Sequence, residues 1–289
     1  MTFHAASRDA LAAAELTLLD VLGGADAKPA SGRGRSATAP AATASDELGD
    51  ELFSVVRLLD AEVGLRRAVG DSSAEPERRE QLLTGLLSGK VSAQAIEVLA
   101  AAVRQRWSTP RELVDGIDHL GRTALLVRAE REGRLDAVED ELFRFGRIVA
   151  ADTDLEQALT DRAAPASARA RLVHTLIGNQ AEAVTVRLVE QLVVAPQGRP
   201  LVAGLGALAD EAAKRRERSV AHVVSAGPLS AAQQERLSAA LNRIYARPIA
   251  LHVEVDPDIQ GGLVIRVGDE VIDGSATGRL DQLRRRLAG

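Results

Sequence analysis

Apolar residues recur every three to four positions through most of the chain, which predicts amphipathic helices. The first such helix spans residues 7–22, and the pattern resumes at Glu51 and continues, interrupted at glycine and proline, as far as Arg218. Beyond that point apolar and polar residues alternate at 220–224 and 251–255, which predicts strands. We therefore expect a mainly α fold that ends in a small α/β domain.

The helical part contains an internal repeat with an offset of 90 residues. The 21-residue segment that begins at Glu51 aligns with the one that begins at Glu141, since 141 − 51 = 90. Eight of the aligned positions are identical in the two segments: Glu51, Leu52, Phe53, Arg57, Ala61, Leu65, Ala68 and Asp71. Because generic helices would share apolar periodicity but not charged residues, we predict two tandem homologous bundles, 1–118 and 119–218, followed by an α/β domain at 219–289.

The junction between the two copies has its own signal. Thr109 is followed by proline and then by Glu112, which is the pattern of a capping box with proline at the first helical position. The apolar face that starts there continues through the predicted boundary, so we expect the last helix of the first copy to run into the first helix of the second. Gly116 and Gly121 leave a kink or a break open.

Residues 23–45 differ from the rest of the helical part. They are built from Ala, Gly, Ser, Thr and Pro with almost no large apolar side chain. Such a segment cannot bury enough surface to offset the entropy of ordering it. We predict a disordered insert whose removal changes the free energy of unfolding by only about 1 kcal/mol.

Composition excludes several classes of function. There is no cysteine, which rules out disulfides, thiol nucleophiles and thiolate metal sites, and aromatic residues make up only 2% of the chain. The net charge of −5 and the lack of a basic face interleaved with aromatics argue against nucleic acid as a ligand. No stretch of eighteen apolar residues occurs, so we expect membrane association only through partners.

Motifs that could carry chemistry are weak throughout the sequence. The five histidines are far apart and none has a ligand spacing such as HExxH. The acidic alternation at 254–258 lacks the glycine and the glutamate of a calcium loop, and Asp273-Gly274-Ser275 lacks the context of a nucleophile turn. There is no phosphate-binding loop. We expect no catalytic residue, no cofactor and no metal.

The segment 261–283, GGLVIRVGDEVIDGSATGRLDQL, is the most specific stretch of the chain. It resembles the C-terminal signature of the delta subunit family of F-type ATP synthases, the bacterial counterpart of the oligomycin-sensitivity-conferring subunit. The positions that carry the resemblance are Gly261, Gly262, Ile265, Gly268, Asp269, Val271, Ile272, Asp273, Gly274, Ser275, Arg279 and Leu280.

That resemblance implies a non-catalytic peripheral-stalk (stator) subunit, in a longer form with a duplicated bundle. In the family, the helical bundle binds N-terminal segments of the alpha subunits on the catalytic head, and the C-terminal domain joins the b subunit. The implied location is the cytoplasmic face of the cell membrane, as a peripheral protein. Which copy binds the head is left open by the duplication. A generic helical adaptor unrelated to ATP synthase is the alternative, and an enzyme with an unrecognised site is a third possibility.

One helix of the second copy, residues 181–195, has an apolar arc about twice as wide as a surface helix needs. We expect the strip formed by Val184, Leu188 and Leu192 to be spare for a partner's amphipathic helix, with Leu125 as a further candidate contact. The alternative is that bundle neighbours bury the whole arc.

Overall fold

A computed structural model describes the chain over most of its length. The residues described are 3–26, 41–218, 220–245, 249–256, 259, 261–268 and 270–274. Within these ranges the chain forms twelve helices and four strands. None of the described helices has the length and apolarity needed to cross a membrane.

The first bundle consists of six helices. They are α1 (Ala5–Asp26), α2 (Ala41–Ala61), α3 (Val63–Val69), α4 (Pro76–Leu87), α5 (Ala93–Arg104) and α6 (Pro110–Arg131). The side chains of Ser92 and Thr109 accept hydrogen bonds from backbone N–H groups in the first turns of α5 and α6, at 3.1 Å in each case. Both helices therefore begin where polar caps satisfy the otherwise unpaired N–H groups.

The second bundle repeats the first, helix by helix. It contains α7 (Leu135–Ala151), α8 (Thr153–Thr160), α9 (Ala166–Ile177), α10 (Ala183–Val194) and α11 (Leu201–Arg218). Adding 90 to the bounds of α4, 76–87, gives 166–177, which are the bounds of α9. The same shift converts α5 into α10, 93–104 into 183–194. The predicted duplication is confirmed at the level of helix boundaries.

A side-chain contact also repeats with the same offset. Glu51 on α2 accepts a hydrogen bond from the backbone N–H of Ser92, at 2.8 Å, just before α5 begins. Glu141 on α7 accepts one from the N–H of Glu182, at 3.0 Å, just before α10 begins. In both bundles a carboxylate of the second helix therefore caps the N-terminus of the fifth helix, where the helix dipole favours negative charge.

The turn before the fourth helix is a second repeated feature. The carboxylate of Asp71 accepts from the backbone N–H of Ser73 at 2.9 Å, and that of Asp161 accepts from the N–H of Ala163 at 2.8 Å. Both are aspartate turns of the kind that this side chain favours. Equivalent residues thus make equivalent local structure in the two copies.

Helix α6 is continuous from Pro110 to Arg131, and it is the last helix of the first bundle and the first helix of the second. The predicted boundary at 118/119 falls inside it. Its glycines do not produce a break. A Cβ atom at Gly116 would lie 2.2 Å from the ring of Trp107, and one at Gly121 would lie 2.6 Å from the ring of Phe53. These glycines allow aromatic rings to pack directly on the helix backbone.

The described part of the insert predicted at 23–45 is helical rather than disordered. Helix α1 extends to Asp26 and α2 begins at Ala41, so the prediction was wrong at both ends. Alanine, which recurs there, has the highest helix propensity and lengthens helices that are anchored elsewhere. The remaining residues of the predicted insert, 27–40, lie outside the described residues.

The C-terminal domain contains a four-stranded mixed sheet and one described helix. Its elements are β1 (Val220–Ser225), α12 (Ala231–Tyr245), β2 (Ala250–Val255), β3 (Leu263–Val267) and β4 (Glu270–Asp273). The strand order is β2-β1-β3-β4, with β1 parallel to β2 and the other pairs antiparallel. Leu241 of α12 is buried in the core formed with the sheet. The helix predicted to open at Gly274-Ser275 lies almost entirely outside the described residues.

Candidate partner-binding surfaces

The apolar strip predicted on α10 is not exposed. Val184 and Leu188 are 3% and 1% exposed, and Leu125 is fully buried; all three belong to the core of the second bundle. Leu192 is half-buried and packs over Gly204 of α11. Helix α10 contacts four other helices, α6, α7, α9 and α11, and these neighbours cover its wide apolar arc. The expectation of a spare strip was wrong, and the alternative, burial between bundle neighbours, is what the structure shows.

An aromatic side chain of the first bundle forms the apolar centre of the contact between the two bundles. Phe53 lies on α2, yet it belongs to the core of the second bundle and is only 3% exposed. Its ring packs on the backbone of α6 at Gly121. One turn further along α6, Leu125 packs against Gly49 of α2. Two glycines, one on each helix, therefore bring α2 and α6 close together.

Polar contacts surround this aromatic contact. Arg57 donates from Nη1 to Oε1 of Gln191, at 3.1 Å, and Gln191 donates from Nε2 to Oδ1 of Asp118, at 3.0 Å. On the other side, Nη1 of Arg187 lies 3.5 Å from Oδ2 of Asp50. We call this contact between the two bundles the joint. It has an apolar centre at Phe53 and a polar rim, formed by these hydrogen-bonded and ionic pairs, that fixes the orientation of the two bundles.

A second cluster of polar side chains connects the C-terminal end of α2 to the loop before α11. Asp60 accepts from Nη1 of Arg111 at 2.8 Å and from Nε2 of Gln197 at 3.2 Å, and Arg111 also bonds Gln197 directly. Gln197 has a φ of 52°, a left-handed conformation that costs a residue with a side chain of the order of 1 kcal/mol. The two hydrogen bonds that its side chain makes, to Asp60 and to Arg111, hold Gln197 in that conformation.

Acidic groups on α6 occupy the buried side of the joint. Burial raises the pKa of Asp115, and the neighbouring carboxylates of Asp118 and Asp60 act in the same direction, while Arg111 opposes them. Nε of Arg111 lies 3.3 Å from Oδ1 of Asp115. Because the pKa is raised, ionised Asp115 is less stable here than in water, and the guanidinium groups of Arg111 and Arg199 only partly offset the cost of its burial.

Ion pairs between α6 and α11 hold the second bundle together. Oε1 of Glu211 lies 3.1 Å from Nη1 of Arg122, and Glu130 pairs with Arg215 at 2.6 Å. Burial raises the pKa of Glu211, but Arg122, His119 and Arg199 together outweigh burial and hold the pKa below its ordinary value. The carboxylate is therefore ionised and paired at neutral pH.

No constellation for catalysis appears in the part of the chain that the structure describes. Those residues contain no group of three or more His, Cys, Asp or Glu side chains that could hold a metal ion. A groove with a volume of about 660 Å³ runs between α1, α6 and α11. Its charged side chains include both signs, which is typical of a joint between helices.

The signature residues of the C-terminal domain form its turns and its sheet. Gly261, Gly262 and Gly268 have φ values of 73°, 91° and 57°, which explains why glycine is needed there. Ile265 is buried in the sheet core, whereas Val271 is exposed on the edge strand β4. The positions Ile272, Asp273 and Gly274 follow in β4 and at its end, and Gly274 donates to the carbonyl of Leu263 at 2.8 Å. Asp269, Ser275, Arg279 and Leu280 lie outside the described residues.

Sequence reasoning missed the residues that join the bundles. A signal for them was present, since Asp115, Asp118 and Arg122 are spaced i, i+3 and i+7 and so share one face of α6. Charged residues on a face that adjoins two apolar faces indicate a helix buried on several sides. The same logic points to Gln191, a polar residue in the most apolar helix of the second bundle.

Over the described residues the chain is a protein of two fused helical bundles with an appended α/β domain. The comparisons identify its family. The family of the ATP synthase delta (OSCP) subunit matches residues 123–287, more than half of the chain. The chain belongs to this family.

Relatives match over nearly the full length. The ATP synthase subunit delta of Streptomyces coelicolor is 46% identical over 285 residues, 99% of this chain and 98% of the relative. That of Nocardia farcinica is 49% identical over 268 residues, 91% and 99% of the two chains. A chain of the Toxoplasma gondii mitochondrial ATP synthase hexamer is 21% identical with a TM-score of 0.30, covering 58% of this chain and 95% of that one.

The chain is therefore a non-catalytic stator subunit of an F-type ATP synthase, and a peripheral part of that membrane-bound complex. The family match begins at residue 123, whereas the Streptomyces coelicolor relative matches over almost the whole chain. The first bundle is thus an addition to the family domain that this relative shares. The alternative of an unrelated helical adaptor is set aside.

Proposed function

We propose that this chain ties the catalytic head of the synthase to its peripheral stalk, at the cytoplasmic face of the cell membrane. The helical bundles bind N-terminal segments of the alpha subunits, and the C-terminal domain joins the b subunit. The observation that carries the proposal is the full-length match to proteins named ATP synthase subunit delta, which includes both bundles and the α/β domain.

The architecture of the helical part supports this role. A stator has to resist torque, so it needs large interfaces and a stiff body. Helix α6 is shared by both bundles, and Phe53 inserts from the first bundle into the core of the second. Bending the two bundles apart would expose that ring and break the Arg57–Gln191 hydrogen bond. The double bundle therefore behaves as one body.

The C-terminal domain supports a second, separate interface. It is connected to the bundles through α11 and β1 and has its own core. Three of its apolar side chains are exposed on α12 and on the two edge strands: Ile244, Val255 and Val271. Exposed apolar residues on the edge strands of a sheet are features of surfaces that pair with another chain.

Co-purification tests the proposal. The full-length tagged chain, added to solubilised membranes that lack it, is expected to retain both alpha and b subunits. Ile244→Asp is expected to reduce recovery of b and to leave alpha unchanged, because the substitution puts a charge on the α/β domain alone. Loss of alpha together with b, or recovery of neither subunit by the wild-type chain, would contradict the proposed division of labour.

A further inference from the structure

The face of α2 that docks on the second bundle is repeated on α7. In each bundle the three residues that define the face are an aspartate, a phenylalanine three positions on and an arginine four positions after that. We call them the first triad, Asp50, Phe53 and Arg57, and the second triad, Asp140, Phe143 and Arg147. The two are identical in residue type and separated by 90 at every position. The spacing i, i+3, i+7 places each triad on one side of its helix.

All three members of the first triad contact the second bundle. Phe53 supplies the buried centre of the joint, and Asp50 and Arg57 supply ionic and hydrogen-bonded contacts to α10 on either side. An apolar aromatic anchor flanked by charged groups is a common arrangement at protein interfaces. The function of this face in the first copy is therefore known from the structure: it docks on a helical surface.

The second triad has the same residue types, but none of the residues that the structure describes covers it. Phe143 is 58% exposed, although its counterpart is almost completely buried. Asp140 pairs only within its own helix, with Arg144 at 2.9 Å, and both side chains are largely exposed. Arg147 is exposed and makes no hydrogen bond or ion pair with the described residues. A single exposed apolar side chain is ordinary on a protein surface, so what distinguishes Phe143 is that the identical triad of the first copy is a docking face.

We propose that the second triad is a docking surface for a helical segment of a different polypeptide. The first joint defines the chemistry of that segment. The partner segment is expected to place a cation against Asp140, as Arg187 lies against Asp50. It is also expected to place an amide or carboxylate oxygen against Arg147, as Gln191 does against Arg57. A glycine or alanine faces Phe143, so that the ring lies flat on the backbone of the partner helix.

A second copy of this chain is a poor occupant. The corresponding surface of the first bundle would present Glu97 and Ala101, since subtracting 90 from 187 and 191 gives these positions. The glutamate would repel the aspartate of the second triad, and the alanine offers no acceptor to its guanidinium. Charge complementarity therefore favours another polypeptide over self-association.

The same helix provides a matched control. Ile148 is 56% exposed, close to the value for Phe143, but lies five residues further on and therefore about 140° around α7. Its counterpart in the first bundle, Leu58, also remains exposed and takes no part in the joint. The repeat thus predicts a partner at Phe143 and none at Ile148.

The inference rests on the proposed function for the assembly in which the partner is sought, the intact ATP synthase. Benzoylphenylalanine is introduced at position 143 or at position 148 of the full-length chain, and the purified complexes are irradiated. Position 143 is expected to cross-link to a helical segment of another subunit, and position 148 at least about tenfold less. Failure of the wild-type chain to enter the complex would contradict the proposed function, independently of the cross-link.

Substitution gives an independent measurement. Phe143→Asp is expected to weaken retention of the chain in the complex about ten- to a hundredfold, the loss expected for one apolar anchor, while Ile148→Asp leaves retention unchanged. Both isolated variants are expected to melt at the wild-type temperature because both side chains are exposed. Equal cross-linking from the two positions, or cross-linking from position 143 only within the chain or to a second copy, would overturn the proposal.

Discussion

Phe53 and Phe143 occupy the same position of the same repeat, within the same four-residue sequence Asp-Glu-Leu-Phe, yet one is 3% exposed and the other 58%. The local sequence does not cause the difference. Phe53 is covered because α6 continues into the second bundle and presents Gly121 to the ring. The comparison teaches that duplication converted a surface of the first bundle into an internal joint and left the equivalent surface of the second bundle open.

The helices that pack against α2 and α7 also differ between the two copies. Position 121 of α6 is glycine, and its counterpart on α11, since 121 + 90 = 211, is glutamate. The glycine admits an aromatic ring, whereas Glu211 pairs with Arg122. The same position of the repeat therefore has two roles. In the first copy Gly121 serves the joint between the bundles, and in the second copy Glu211 serves the internal packing of the second bundle.

The largest expected effect separates the two phenylalanines. Phe53→Ala leaves a cavity in the joint and is expected to lower the free energy of unfolding by about 3 to 5 kcal/mol. Phe143→Ala removes an exposed ring and should change it by less than about 0.5 kcal/mol in the isolated chain. Urea unfolding followed by circular dichroism measures both values, and similar losses in the two variants would show that the faces are not differently covered.

Glu211 is the counterpart of Gly121 in the second bundle. Replacing its carboxylate tests the ion pair that it forms with Arg122. Glu211→Gln removes one of the two carboxylates that pair with Arg122, leaving only Asp118, and is expected to cost about 2 to 3 kcal/mol at pH 7. The folded-state pKa of Glu211 is lowered, so its contribution is present above the ordinary glutamate range and disappears as the pH falls through the folded pKa. The stability gap between wild type and variant should therefore narrow below about pH 4. A gap that widens on acidification would contradict this assignment.

A pair of equivalent glycines should respond with opposite signs. Gly116→Ala forces a methyl group against Trp107 and is expected to destabilise the chain by about 1 to 3 kcal/mol. Gly206, 90 positions on, has open space where its Cβ would lie, so Gly206→Ala should stabilise α11 by about 0.5 to 1 kcal/mol. Thermal melts of the two variants decide the matter. Changes of the same sign would mean that the aromatic ring does not sit on the α6 backbone.

The smallest effect should be equal in the two bundles. Glu51→Ala and Glu141→Ala each remove the carboxylate that accepts a backbone hydrogen bond at the N-terminus of a fifth helix, and each is expected to cost about 1 kcal/mol. Equality is the informative result, because it would show that the copies share internal structure and differ in what covers them. Denaturant titration resolves a difference larger than about 0.5 kcal/mol, which would indicate that one cap has acquired another role.

Much of the fold could be predicted because its signals are local. The repeat, the cap at Thr109, the continuity of α6 and the strands of the C-terminal domain all follow from spacing and residue type within short segments. Helix α1 was predicted to end at residue 22 and extends to Asp26 because alanine and existing helix outweigh the weak glycine signal.

The partner-binding residues could not be predicted in the same way. The wide apolar arc of α10 reads identically whether neighbours or a partner cover it, so Val184 and Leu188 were assigned to a surface when they belong to the core. Phe53 and Phe143 show the same limit, because identical local sequence has two outcomes. Only tertiary contacts distinguish them.

Thiol labelling tests the central claim most directly, since the chain contains no cysteine and each substituted position carries the only thiol. The measurement compares the rates at which a maleimide reacts with the isolated Phe53→Cys and Phe143→Cys chains under native conditions. Phe143→Cys is expected to react at nearly the rate of the unfolded chain, whereas Phe53→Cys, which reacts only when the joint opens, should be slower by about a hundredfold or more. Equal rates in the two variants would contradict the conclusion that one face is closed and its duplicate open.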